Sequence, residues 1–366
     1  MEIQKSQRLN SLDILRGLDL FFLVFAGPVL QQLFGLVNFA GVDFLKYQLD
    51  HVQWVGFTAW DIIMPLFMFM AGVSMPFSLS KYKGSGIYWR IVKRVILLFF
   101  FGALVQGNLL KFDIWQIKFY TNTLQAIAVG YLIASVILLN FKVKGQIIIT
   151  SVLFVAYYLL MCIFGDFTPD GNFCEAVDRA VLGFWRDGAT MKDGVVVFSD
   201  SYRYTWILSS LNFGVTVMLG AFAGEIMRSG AEKFKNAKML FITAIVLIAV
   251  GYLMGLHFPI IKKIWSSSMT IYSGGICFLL MAFFYWYVDC LGKGKWLEWL
   301  KIYGMNSIAA YVISHVINFR SIPESLFKAL QPDMGEWYWL LINFSQYAII
   351  FFILWLMYKN KIYLKV

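Results

Sequence analysis

The sequence predicts an all-α, polytopic transmembrane helix bundle, and three observations carry that prediction. Of 366 residues, 60% are apolar and only 14% charged, against roughly a quarter charged in soluble globular chains. Apolar stretches near the length that crosses a hydrocarbon core of roughly 30 Å recur along the whole chain. Basic residues gather in alternate connections, the asymmetry that membrane insertion imposes. A single domain, residues 1–366, is expected.

Reading apolar runs between charged breaks gives about ten spans. Six run near Ile14 to Val37, Phe57 to Leu79, Val92 to Leu110, Thr121 to Asn140, Gln146 to Phe164 and Tyr204 to Met227. Four more follow near Met239 to His257, Ser267 to Asp289, Ile302 to Phe319 and Trp337 to Tyr358. The third carries Gln106 and Asn108, and the ninth Asn306, Ser314 and His315. Polar spans of that kind belong inside a bundle.

With both termini cytoplasmic, the inner side receives Lys5, Arg8 and Arg16, then Lys81, Lys83, Arg90, Lys93 and Arg94, then Lys142 and Lys144. It also receives Arg228, Lys233, Lys235, Lys238, Lys293, Lys295, Lys301, Lys359, Lys361 and Lys365. That is about 20 of the 31 basic residues. The acids Asp166, Asp170, Glu175, Asp178, Asp187, Asp193 and Asp200 fall in the one long outer loop. The net charge of +10 is therefore topological, spread over short inner loops, and nucleic acid is not an expected partner.

The first apolar segment is too long for a cleavable leader and is expected to stay as the first helix. Cys162, Cys174, Cys277 and Cys290 show no metal-ligand spacing, and no metal is expected. Cys162 and Cys174 fall near the outer face, where an oxidising compartment would let them pair.

Two outer segments are more than connectors. In 38–56, Val42, Leu45, Leu49 and Val52 recur at helical spacing with Asp43, Lys46 and Asp50 between them. They predict a short amphipathic helix on the outer membrane surface that delivers His51 to the mouth of the second span. Residues 165–203 hold turn signals at Pro169-Asp170-Gly171, Asp187-Gly188 and Asp193-Gly194, the last ahead of the β-rich run Val195–Phe198. That density predicts a compact loop with a hairpin, and its aromatics favour an ordered lid.

Histidine is the economical clue to chemistry. The chain has 3: His51, His257 and His315. Imidazole accepts a proton near neutral pH and can itself accept an acyl group. The bland alternative is a ring satisfied by a backbone carbonyl, and it weighs most on His257 and His315. His51 lies ten residues before Asp61, a carboxylate about one turn inside the second span and one turn before Pro65. A carboxylate there needs a partner, and orienting an imidazole is a common one; the alternative is an anchor between helices.

At the start of the first span, Ser11 reads as an N-cap, Asp13 suits the first turn, and Arg16 shares its face. This is either an interfacial anchor or, with Arg90, Lys93 and Arg94, a holder for the phosphates of an anionic cytoplasmic ligand such as coenzyme A. Asp19, a turn and a half into the helix, either reaches the interface or pairs with Arg16.

The stretches Arg8–Gly17, RLNSLDILRG, and His51–Ser74, HVQWVGFTAWDIIMPLFMFMAGVS, resemble the heparan-alpha-glucosaminide N-acetyltransferase family and its bacterial relatives. Shorter matches are Leu124-Gln125, Phe258-Pro259 with Lys262 and Trp265, Gly304-Met305-Asn306-Ser307, and Tyr311-Val312 with His315. The resemblance implies an acyltransferase in a bacterial inner membrane, taking acetyl from cytosolic acetyl-CoA as co-substrate to an amino sugar or oligosaccharide outside. It places the catalytic histidine on His51, with Asp61 beside it, and puts Gln125, Lys262, Trp265, Asn306 and His315 around the site. A homodimer is compatible with it.

Three positions depart from the family pattern. Gly27 stands where an asparagine is expected late in the first span, with Asn38 a candidate replacement. Ala126 stands for the arginine after Leu-Gln, and Arg203-Tyr204-Thr205-Trp206 for an Asp-Pro-Glu-Gly motif. These fall mostly on the outer side, so the acceptor is the least constrained part. The rival readings are a transporter or sugar carrier with Asp19, Asp61 and His315 as a polar pathway, and an O-acyltransferase for an envelope polysaccharide.

Overall fold

A computed structural model describes residues 9–79, 86–107 and 117–364. Lys5, Arg8, Lys81, Lys83, Asn108, Leu110 and Lys365, used in the topology argument, lie outside these residues.

The chain is almost entirely helical. It opens with α1 (Asn10–Phe21), a π-helical turn at Phe22–Ala26, α2 (Gly27–Leu36) and the short α3 (Val42–Gln48). A 3₁₀ turn at Ala59–Ile62 leads into α4 (Ile63–Leu79), followed by α5 (Gly86–Val105), α6 (Thr123–Asn140) and α7 (Val143–Phe164). The 165–209 segment holds α8 (Phe173–Leu182) and the antiparallel strands β1 (Ala189–Lys192) and β2 (Val195–Phe198). Then come α9 (Ser210–Arg228), α10 (Lys233–Gly255), α11 (Ser267–Phe284), and the short α12 (Lys301–Met305), α13 (Ser307–Val316), α14 (Ser321–Phe327) and α15 (Gln331–Met334). The long α16 (Trp337–Lys359) closes the described chain.

Among the described residues, 7 helices are long and apolar enough to cross a membrane. They coincide with the second, fourth to eighth, and tenth predicted spans. Three of them, Val143–Phe164, Lys233–Gly255 and Trp337–Lys359, have only 17%, 22% and 17% of their most apolar window buried within the protein. Apolar helices so uncovered need lipid as their solvent. The chain is therefore a polytopic membrane protein.

The other three predicted spans differ for local reasons. The first is a helical run whose middle turn is π rather than α. The third, α5, carries Arg90, Lys93 and Arg94 in its first half. The ninth breaks at Asn306, which leaves helical geometry at φ −120° and ψ 38° and divides α12 from α13.

The chain forms two compact units. One comprises described residues 9–51, 58–63 and 283–364; the other takes 52–57, 64–79, 86–107 and 117–282. In the first unit α1 packs closely on α12, because Gly17 and Gly304 let two backbones touch. A Cβ on Gly304 would sit 2.0 Å from the Asp13 carbonyl oxygen, and one on Gly17 1.9 Å from that of Leu300. Small residues at such crossings let membrane helices approach. The N-terminus of α1 is held by Asp289, whose Oδ2 accepts the Ser11 N–H at 3.2 Å.

In the second unit α9 is the central helix, with 67% of its apolar window buried, packed against α6 and α7. Between α10 and α11 the backbone is irregular yet sealed: Phe258, Ile261 and Ile264 are fully buried beside Tyr157 and Met161. Irregular backbone survives there because its carbonyls find side-chain donors. Ile264 O accepts from the Tyr157 hydroxyl at 2.5 Å and from Ser209 Oγ at 2.9 Å.

Candidate active site around His51 and Asp61

A short helix is present where the spacing predicts one, as α3, with Val42 buried and Phe44 and Tyr47 exposed, but it ends at Gln48, and a turn at Leu49 and a bend at Asp50 lead into the irregular backbone of His51. The Gln48 side chain accepts the Ala59 N–H at 2.9 Å, and the Gln31 amide donates to the Leu49 carbonyl. Asp50 then accepts the His51 N–H on Oδ1 at 2.7 Å. Local hydrogen bonds, rather than helix, fix where the imidazole starts.

The carboxylate is placed by a capping box. Thr58 is the N-cap of the 3₁₀ turn, and Asp61, its N3 residue, accepts the Thr58 N–H on Oδ2 at 3.2 Å. The Thr58 hydroxyl lies 2.7 Å from the Asp50 carbonyl oxygen and 3.1 Å from Asp61 Oδ2, tying the turn before His51 to the carboxylate. With one oxygen held by backbone, Asp61 turns the other to the ring. His51 Nδ1 is 2.7 Å from Asp61 Oδ1, with the ring 40% exposed and the carboxylate 1%.

That geometry sets the tautomer. An ionised carboxylate only accepts, so Nδ1 carries the hydrogen and Nε2 the lone pair. A buried acid behind Nδ1 stabilises the imidazolium when Nε2 takes a proton, as in hydrolase triads. The pair can act as a general base or as an oriented nucleophile.

The other predicted residues are distributed differently. His315 and Asn306 share the first unit with His51, but each is engaged elsewhere. His315 Nδ1 donates to the Tyr311 carbonyl at 2.8 Å, and the rings of the two residues lie 4.4 Å apart. Asn306 is fully buried; its Nδ2 donates to Ile362 O at 3.1 Å and its Oδ1 accepts the Leu364 N–H at 3.2 Å. It therefore fastens the C-terminal strand of chain to the break between α12 and α13.

Gln125, Lys262 and Trp265 belong to the second unit. Gln125 is the N3 partner of an Asn122 capping box on α6, its Oε1 accepting the Thr121 and Asn122 N–H groups at 2.8 and 3.1 Å. Lys262 is buried in the irregular segment before α11. Trp265 there has φ +51°, unusual for a bulky residue, and is held by its Nε1–H to Thr216 at 3.1 Å and by Asn212 donating to its carbonyl at 2.9 Å.

Of the basic residues, Arg16 pairs at 4.0 Å with Asp13, as its spacing predicts. Asp19 is buried, and among the described residues its Oδ2 finds no hydrogen-bond partner. Arg90, Lys93 and Arg94 share one face of α5, with Arg90 and Lys93 exposed and the Arg94 guanidinium 4.2 Å over the Tyr131 ring.

Gly27, the first departure from the family pattern, has a physical cause in its neighbour. A Cβ there would lie 2.2 Å from the Trp60 indole, which fills the space an asparagine side chain would need.

The 165–209 segment buries charges that the sequence reading either left out or counted only towards topology. Arg186 is fully buried, with Nη2 2.5 Å from Glu175 Oε2, while Arg179 donates to Glu175 Oε1 at 2.7 Å. Asp178, also fully buried, accepts the Trp206 and Ile207 N–H groups at 2.9 Å each and so ties α8 to the turn before α9. Burial pushes its carboxyl up to about 7, against the pull of those hydrogen bonds. The sequence signal was charge on a helix face: Glu175, Asp178 and Leu182 recur at helical spacing. The predicted hairpin is present, turning at Asp193-Gly194 with φ +51° and +77°. Cys162 and Cys174, which an oxidising compartment would let pair, are both free thiols: Cys162 is exposed, whereas Cys174 is buried 3.3 Å from the Tyr157 hydroxyl, its thiol pushed up to about 12 by burial.

Comparison with known proteins gives the pair its context. The chain is distantly similar to heparan-alpha-glucosaminide N-acetyltransferase. The human protein of that name is 24% identical over 416 aligned positions, covering 98% of this chain and 60% of the relative. The mouse protein is 24% identical over 424 positions, covering 99% and 61%. The chain thus spans about three fifths of the length of these relatives. No family model matches it.

Proposed function

We propose that this protein is a transmembrane acyltransferase that moves an acetyl group from acetyl-CoA on the cytoplasmic side to an amino sugar on the other side. The observation that carries the reading is the buried, doubly held Asp61 carboxylate 2.7 Å behind an accessible His51. Distant similarity to an N-acetyltransferase supports the reaction class. In this reading the chain crosses a bacterial inner membrane about ten times with both termini inside, by the positive-inside rule. Residues 165–203 then lie outside as an ordered lid.

His51 Nε2 removes a proton from the acceptor amine, or attacks the thioester itself and passes the acetyl group on. Asp61 holds the ring and stabilises its charged form. Arg90, Lys93 and Arg94, at the cytoplasmic end of α5, are suited to coenzyme phosphates.

Release of coenzyme A thiol by the purified protein, given acetyl-CoA and glucosamine, tests this directly. Wild type should turn over and His51→Ala should not; equal turnover by both would sink the assignment. Products formed from glucosamine and from a neutral sugar, compared by mass, separate amine from hydroxyl transfer. A transporter reading draws on Asp19, buried in α1 with an oxygen that no described residue bonds; substrate flux without thiol release would favour it.

A further inference from the structure

A row of side-chain amides in the first unit serves neither the His51–Asp61 pair nor the apolar packing. It begins beside the His51 loop, where the Gln31 amide donates to the Leu49 carbonyl. The next residue, Gln32, accepts on Oε1 from Asn343 Nδ2, linking α2 to α16. Asn343 Oδ1 in turn accepts from Gln346 Nε2 at 3.0 Å, and Tyr347 follows next in the chain.

Three features of the row point to a ligand. Gln32, Asn343, Gln346 and Tyr347 are all half-buried, so the row is reachable. It also ends unfinished: Gln32 commits its oxygen, and among the described residues its Nε2 donors make no hydrogen bond. Finally, Arg320, whose guanidinium lies 4.8 Å over Trp339 on the same helix as the row, is paired with Glu324 at 2.7 Å.

Interhelical amide bonds in membranes contribute little stability on average, so packing alone is a weak reason to bury such a row. Side-chain amides offer a donor and an acceptor side by side, the pattern that adjacent hydroxyls of a sugar ring complement. Trp339, Asn343, Gln346 and Tyr347 share one face of α16, so aromatic surface for the C–H face of a sugar flanks the polar row.

We propose that Gln32, Asn343, Gln346 and Tyr347 form the subsite that holds the sugar ring of the acceptor, the open Gln32 Nε2 donating to a ring hydroxyl. This rests on the acyltransferase reading for the word acceptor; the carbohydrate site itself stands on the amide row.

The test is calorimetric titration of glucosamine into the full chain in detergent, without acetyl-CoA. Wild type should bind saturably. Gln32→Met, close in shape but without the amide, should weaken binding about tenfold, as the loss of one hydrogen bond to a neutral group implies. Melting in the same preparation checks its fold, and Gln346→Met is read the same way if the first variant does not fold. No saturable binding by wild type, or equal binding by wild type and folded variants, overturns the subsite and leaves the row as a link between helices. Gln32-dependent binding without His51-dependent thiol release would sink the acyltransferase reading alone. Thiol release without sugar binding would do the reverse.

Discussion

Replacing Asp61 by asparagine probes the His51 arrangement most sharply, because the change is nearly isosteric and its effect follows from donors and acceptors. Asp61 accepts on both sides, from the His51 ring at 2.7 Å and from the Thr58 N–H at 3.2 Å. An amide can accept on one side only. If its oxygen faces Thr58, its NH₂ faces Nδ1, which must then be the acceptor, and the hydrogen moves to Nε2. The ring is held but cannot act as a base. If its oxygen faces His51, the NH₂ opposes the Thr58 N–H, and the capping box is lost at about 1 kcal/mol. Either way the imidazolium loses a buried countercharge. The expected loss in kcat is about 10³-fold, some 4 kcal/mol of barrier, with the KM for acetyl-CoA little changed. The assay is thiol release at saturating acetyl-CoA, with melting measured alongside. An Asp61→Asn protein within threefold of wild-type kcat would refute the tautomer argument.

Three further predictions concern the scaffold. Glu175→Gln should leave the fully buried Arg186 without its countercharge and cost about 3–5 kcal/mol, seen as rapid proteolysis within 165–209 while Arg179→Gln, altering an exposed partner, changes little. Asp178 has a carboxyl raised to about 7, so the stability it confers is full below about pH 4 and is lost as pH rises to about 7. By linkage this amounts to about 4 kcal/mol; amide exchange at Trp206 and Ile207 should quicken over that range in excess of its intrinsic pH dependence, and the excess should vanish in Asp178→Asn. Gly304→Ala places a methyl 2.0 Å from the Asp13 carbonyl oxygen and should destabilise by about 3 kcal/mol or prevent folding, read as a fall in melting temperature.

What could be read from sequence was what depends on neighbours in the chain. Seven spans were legible because a run of apolar residues near 20 long has one stable solution in lipid. The His51–Asp61 pair was legible because ten residues separate its members and a carboxylate at a span entrance demands a partner. The Val195–Phe198 hairpin announced itself through Asp193-Gly194. The break at Asn306 was not legible, since its amide is held by Ile362 and Leu364, more than fifty residues away. The same holds for Gln32 and Asn343, which lie 311 residues apart. Arg186 was overlooked, and Asp178 was counted only as one of the loop acids, because charges in a long loop suggest solvent, whereas α8 turns Asp178 inward and the segment folds over Arg186.

The central claim is acyl transfer at His51 across a bilayer. The direct measurement places labelled acetyl-CoA outside sealed vesicles that carry the protein with its cytoplasmic side outward, and glucosamine within them. The account predicts labelled N-acetylglucosamine in the lumen with wild-type protein and none with His51→Ala. Luminal product from the His51→Ala protein, or wild-type protein that leaves all the label as acetyl-CoA outside, would contradict it.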